Sequence, residues 1–234
     1  MTPTLSRRVT AECVGTALLV AIVVGSGIFA ERLSPDDVGI QLLENSLATA
    51  GGLVALILAL GAVSGAHFNP VVTLAERVFG GMTTAEALAY VGAQVVGACV
   101  GAVVANLMFD LDAVTLSTNT RSSGGLWLGE IVATFGLLMV ILGVVRSGRS
   151  AMAPFAVAGY IAAAYGFTSS TSFANPAVTV GRTLTDTFAG IDPTSALAFV
   201  VAQLVGGLAA IGLAQFLYPG KASVDLVVPH DQAA

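Results

Sequence analysis

The 234-residue sequence predicts an all-α membrane protein, with six transmembrane helices and two re-entrant half-helices in an inverted repeat. Three observations predict it. The chain is 56% hydrophobic and 10% charged, with a mean hydropathy of +0.89, whereas soluble domains carry about 25% charged residues. Six apolar runs approach the ~20 residues that a bilayer core requires. One polar segment also occurs twice in near-copy, as Asn69-Pro70-Val71-Val72-Thr73-Leu74 and Asn175-Pro176-Ala177-Val178-Thr179-Val180.

The apolar runs cover residues 9–29, 42–63, 85–108, 124–145, 151–168 and 194–217, the fifth being the shortest. Threading them through a bilayer places Arg7, Arg8, Arg77, Arg146, Arg149 and Lys221 on one side. Arg32, Arg121 and Arg182 fall on the other side, among most of the acidic loop residues. The positive-inside rule then puts both termini in the cytoplasm. Three spans per half is an odd number, so the second half enters from the opposite face. The chain divides into a cytoplasmic N-terminus (1–8), a first repeat (9–109), an extracytoplasmic loop (110–123), a second repeat (124–217) and a cytoplasmic tail (218–234) expected to be disordered. No cleavable signal is expected, because the first run is long enough to span.

Further pairs support the duplication. Ala11-Glu12-Cys13-Val14-Gly15-Thr16 answers to Gly129-Glu130-Ile131-Val132-Ala133-Thr134, and Ala93-Gln94-Val95-Val96-Gly97 to Ala202-Gln203-Leu204-Val205-Gly206. The 27 glycines suit close helix packing in lipid. Cys13 and Cys99 lie inside apolar runs, so neither a disulfide framework nor a metal site is expected. A net charge of −5 argues against nucleic acid, and no cofactor is implied.

Segments 64–80 and 169–190 are too polar and short to span. Asn favours the N-cap and Pro the first helical position, so each Asn-Pro starts a helix of roughly ten residues, ~15 Å long. One dips in from each face, and their N-termini meet near the midplane. Glu12 and Glu130 are acids within spans, which by default marks function and could suggest proton coupling. His67 is read as a structural hydrogen-bonding group, with pH sensing or metal binding as the alternative. Ser26 has no base at matching depth, so no catalysis is expected. The Thr/Ser-rich loop 110–123 is placed over the outer vestibule.

These residues resemble the aquaporin or major intrinsic protein family. The resemblance is carried by Ser64-Gly65-Ala66-His67-Phe68-Asn69-Pro70-Val71, by Ala174-Asn175-Pro176-Ala177, and by the Glu12/Glu130 and Gln94/Gln203 pairs. It covers about residues 9–217 and departs in Val71, where relatives usually have Ala. It implies a pore in each protomer, a homotetramer, no enzymatic activity, and Glu12 and Glu130 hydrogen-bonded to the half-helix loops. Asn69 and Asn175 are then expected to cap their helices through oxygen and to offer amide donors to solute.

The main departure is Val178, where most relatives carry Arg directly after the second motif. Family spacing implies a selectivity filter of Thr49, Ala163, Ser172 and Val178, with no aromatic, His or Arg. Such a ring is wide. The Val-bearing motif resembles that of bacterial aquaglyceroporins associated with arsenic resistance. The expected function is passive passage of small neutral solutes across a bacterial-type inner membrane: arsenous acid, methylated arsenicals, glycerol and water. The alternatives are a general water/glycerol facilitator and an ion-coupled secondary transporter. Arg182 is a candidate for the outer vestibule, where it would repel cations; a salt bridge to Asp186 or plain solvation is the competing reading.

Overall fold

A computed structural model describes residues 3–219. The tail predicted from 218 onward therefore lies almost wholly outside the described residues. Eight α-helices are present among them: α1 (Leu5–Leu33), α2 (Val38–Ser64), α3 (Pro70–Val78), α4 (Thr84–Met108), α5 (Gly124–Arg146), α6 (Ala153–Phe167), α7 (Pro176–Gly181) and α8 (Pro193–Leu217). Each half runs long, long, short, long. Six of the helices, α6 counted with the 3-10 turn before it, are long and apolar enough to cross a membrane. Together with large apolar side chains exposed on their outer faces, such as Leu88, Leu197 and Phe216, this makes a multi-pass membrane protein.

The helix ends follow from local chemistry. Asp37 caps α2 through the Ile40 amide at 3.0 Å. Thr83 and Glu86 form a reciprocal capping box on α4. Ser123 caps α5, and Asp192 caps α8 with Pro193 in the first turn. α1 starts at Leu5, earlier than the apolar run, and its first turns include Arg8. Its guanidinium donates to Glu86 and to the Tyr90 hydroxyl, both at 3.0 Å. The second short helix is shorter than expected: α7 ends at Gly181 and continues as a 3-10 turn, Arg182–Leu184.

Packing repeats between the halves. α1 lies against α4, and α5 against α8, while α2–α6, α4–α7 and α3–α8 join the two sets. Two glycines in matching positions allow close backbone approaches. A Cβ at Gly97 would stand 2.2 Å from the Cys13 carbonyl oxygen, and one at Gly206 would stand 2.3 Å from that of Ile131. Cys13 and Ile131 directly follow Glu12 and Glu130. These glycines thus bring the Gln-bearing helices against the Glu-bearing helices.

Gly97→Val should push α4 off α1. The expected outcome is loss of folded protein, or a lower thermal midpoint in detergent, with Gly92→Val unaffected because open space surrounds Gly92.

Candidate functional site

The site grows from two non-helical loops, 65–69 and 171–175, that lead into α3 and α7. Each holds non-glycine residues in left-handed backbone: Ala66 (φ 50°) and Phe68 (φ 49°) in the first, Thr171 (φ 62°), Ser172 (φ 52°) and Ala174 (φ 49°) in the second. Such residues cost on the order of 1–3 kcal/mol each and persist only where their surroundings hold them.

Two buried carboxylates hold them. Glu12 accepts from the His67 amide (3.0 Å), the Phe68 amide (2.7 Å), the Ser64 hydroxyl (2.7 Å) and the Gln94 side chain (2.7 Å). Glu130 accepts from the Phe173 and Ala174 amides, both at 2.9 Å, and from Gln203 at 2.6 Å. Gln94 and Gln203 donate onward to Thr73 (2.9 Å) and Thr179 (2.8 Å), in the first turns of the short helices. The His67 ring nitrogen Nδ1 lies 3.1 Å from the Thr73 hydroxyl.

The two loops are then tied to each other. Asn69 Oδ1 caps α3 through the Val71 amide at 2.9 Å, and its Nδ2 donates to the Ala174 carbonyl at 2.8 Å. Asn175 Oδ1 caps α7 through the Ala177 and Val178 amides at 3.0 and 3.2 Å, and its Nδ2 donates to the Phe68 carbonyl at 2.7 Å. Each Nδ2 keeps one further N–H for another acceptor. The N-terminal ends of α3 and α7 therefore abut, each bringing roughly half a positive charge. Pro70, Val71, Pro176 and Ala177 are buried in the first turns.

A narrow cavity of about 60 Å³ runs past this junction. Asn69, Asn175 and His67 line it against apolar walls that include Leu19, Ile57 and Val157. Toward one end it is lined by Thr49, Tyr165, Ser172, Val178 and Arg182. A second, open cavity of about 750 Å³ lies beyond, bordered by Glu31, Thr118, Arg121, Asp186 and Phe188. Arg182 is the one residue that lines both cavities, so its guanidinium stands at the threshold between them.

Two expectations need correction. Ala163 is exposed on the outer face of α6 and does not line the cavity. Tyr165 lines it instead, its hydroxyl 3.3 Å from that of Thr49, so this end of the cavity is not free of aromatics. The family spacing fails because it assumes a longer connection between α6 and Asn175. The periodicity of α6 could have found the right residue: Val157, Ile161 and Tyr165 recur at helical spacing and all line the cavity.

Arg182 likewise makes neither of its expected alternative contacts. It is buried, its Nε donates to the Ala189 carbonyl, and its guanidinium carbon lies 3.3 Å from the Phe173 ring centroid. Asp186 accepts from the Thr118 amide and hydroxyl instead. Loop 110–123 crosses this end, with Thr115 and Ser117 amides donating to the Leu184 and Thr183 carbonyls. Its Arg121, which sequence reasoning did not single out, is buried enough to lower its pKa, an effect that the nearby Glu130 opposes. A guanidinium stays charged regardless.

Comparison with known proteins places these features. The major intrinsic protein family profile matches residues 1–169. Aquaglyceroporin AqpS of Rhizobium meliloti is 49% identical over 213 residues, which is 91% of this chain and 91% of that protein. Probable aquaporin AqpM of Archaeoglobus fulgidus is 31% identical, over 93% of this chain and 99% of its own. The X-ray structure of the aquaglyceroporin from Plasmodium falciparum superposes with a TM-score of 0.63 at 22% identity, over 92% of this chain and 96% of its own. That last likeness speaks for the fold.

Glu12→Ala would leave four donors of the first loop region without their acceptor, each costing about 1–3 kcal/mol. The expected result is a thermal midpoint lowered on the order of 10 °C or a failure to fold. Glu12→Gln, which keeps one acceptor oxygen, should fall between, as thermal unfolding in detergent would read.

Proposed function

The chain belongs to the major intrinsic protein family, and on that premise we propose that it is a passive pore for small neutral solutes: arsenous acid, methylated arsenicals, glycerol and water. The observation that carries the reading is Val178. It lines the cavity between the Asn175 junction and the Arg182 threshold, at the place where family spacing puts a guanidinium. An isopropyl side chain there leaves room and withholds a donor. Around it stand the hydroxyls of Thr49, Tyr165 and Ser172. Ser172 is a buried polar residue on that lining. Arsenous acid and glycerol both carry several hydroxyls on a small frame, which suits this mixed lining.

The filter of this reading is Thr49, Tyr165, Ser172 and Val178, with Arg182 at the outer vestibule. Asn69 and Asn175 would each donate their remaining N–H to a solute oxygen at the centre. The paired helix N-termini raise the energy of a cation there. That electrostatic arrangement favours a passive neutral-solute pore over an ion-coupled transporter, whose centre must coordinate a cation. Glu12, Glu130 and His67 support the loops. The two halves are read as an inverted repeat in a homotetramer of the bacterial-type inner membrane, with both termini in the cytoplasm.

Stopped-flow light scattering of reconstituted vesicles tests the reading. The wild type should pass glycerol and arsenous acid. Val178→Arg should lose both by roughly tenfold or more, equivalent to about 1.4 kcal/mol of barrier, while keeping water. A wild type that passes water alone would mean that other residues narrow the pore.

A further inference from the structure

We propose that Arg121, on the loop between the halves, is a positioning residue of the permeation path: it fixes Phe173 and the 188–190 loop so that the Arg182 guanidinium stays at the threshold, where it excludes cations from a pore whose filter carries Val178. The inference rests on the pore reading above and adds a specificity-determining residue to it.

The two guanidiniums share one ring and one loop. Arg121 lies over the Phe173 ring with its guanidinium carbon 5.3 Å from the centroid, and Arg182 lies over the same ring at 3.3 Å. Three successive carbonyls take their N–H groups. Arg121 donates from Nη2 to Phe188 (3.3 Å) and from Nε to Gly190 (3.0 Å), and Arg182 donates from Nε to the Ala189 carbonyl between them. The loop is itself clamped, because the Phe188 amide donates to Glu31 at 2.9 Å and the Ile191 amide to the Arg182 carbonyl at 3.2 Å. The Arg121 amide is tied to the Ser195 hydroxyl at 3.1 Å.

Neither arginine makes a salt bridge among the described residues. The nearby Asp186 spends its carboxylate on Thr118. Carbonyls and a ring quadrupole hold a guanidinium without cancelling its charge. Two like charges on one ring repel, and a loop that needed only to be fastened would be served by neutral donors. Arg182 is the charged side chain that also lines the narrow cavity, whereas the Glu31 and Asp186 carboxylates border the outer cavity and not the narrow one, so a positive field arises at the threshold and depends on where Arg182 is held. A constriction lined by one sign of charge changes the local concentration of ions by tenfold or more. Phe173 also lines the narrow cavity and directly precedes Ala174, whose carbonyl accepts from Asn69. Movement of Arg121 would therefore reach the threshold through one side chain.

The test uses the full chain in liposomes, with potassium leak and glycerol flux measured on the same preparation. The variants are Arg121→Met, Arg121→Lys, Arg182→Met and the Arg121/Arg182→Met double variant. Arg121→Met should raise the ratio of potassium to glycerol permeability on the order of tenfold. Arg121→Lys should restore most of the exclusion, which a loss of folding would not allow. Arg182→Met should leak at least as much as Arg121→Met. The double variant should leak no more than Arg182→Met alone, since Arg121 acts largely through it. If Arg121→Met excludes potassium like the wild type, Arg121 only staples the loop and the inference is overturned. Full additivity in the double variant, or no leak in Arg182→Met, overturns it as well. A wild type without glycerol flux would instead refute the pore reading on which it rests.

Discussion

Lipid offers no hydrogen bonds, so every polar backbone group placed inside this apolar chain must find its partner within the protein. The loops 65–69 and 171–175 are where that constraint bears hardest. They are non-helical, they carry left-handed residues with side chains, and they sit at the centre of the molecule. Glu12 and Glu130 answer the constraint by collecting several donors on one carboxylate each. A buried carboxyl group is tolerated where its oxygens are supplied with that many hydrogen-bond donors. Gln94 and Gln203 extend the same networks to the first turns of the short helices. The rest of the architecture, including the glycine contacts that bring the Gln-bearing helices close, serves to place these groups.

Once the loops are fixed, the chemistry of the path follows in sequence. The Asn69–Ala174 and Asn175–Phe68 bonds lock the two N-terminal helix ends together. On the proposed reading, that junction would present positive potential and amide donors to a passing solute, against apolar walls. On the proposed pore reading, selectivity among neutral solutes falls to the far end of the cavity, where the hydroxyls of Thr49, Tyr165 and Ser172 stand with Val178. Discrimination against ions would fall to the dipoles and to the Arg182 guanidinium, so that two tasks which the family pattern gives to one arginine would be separated between Val178 and Arg182.

Much of this was legible in the sequence, for physical reasons. Span positions follow from hydropathy, because lipid tolerates few exceptions. The short helices follow from Asn-Pro, whose capping geometry is local. The roles of Glu12 and Glu130 follow from their pairing with the duplicated loops. What was not legible depended on connection length and long-range contact. Ala163 was placed by a spacing borrowed from relatives, and the turn after α6 shifts the cavity-facing residue to Tyr165. The environment of Arg182 is set by Phe173 and the Ala189 carbonyl, which no local pattern ties to it. Arg121 lies in a Thr/Ser-rich loop whose path is decided by contacts with segment 183–190.

The central claim is that neutral solutes move passively down their own gradient. It is tested most directly by the initial rate of arsenous acid entry into proteoliposomes across a wide concentration range, with and without ionophores that collapse proton and sodium gradients. The account expects a rate that rises linearly with the gradient and is indifferent to ionophore. A rate that saturates at low concentration and falls when ion gradients are collapsed would contradict it and point to coupled transport.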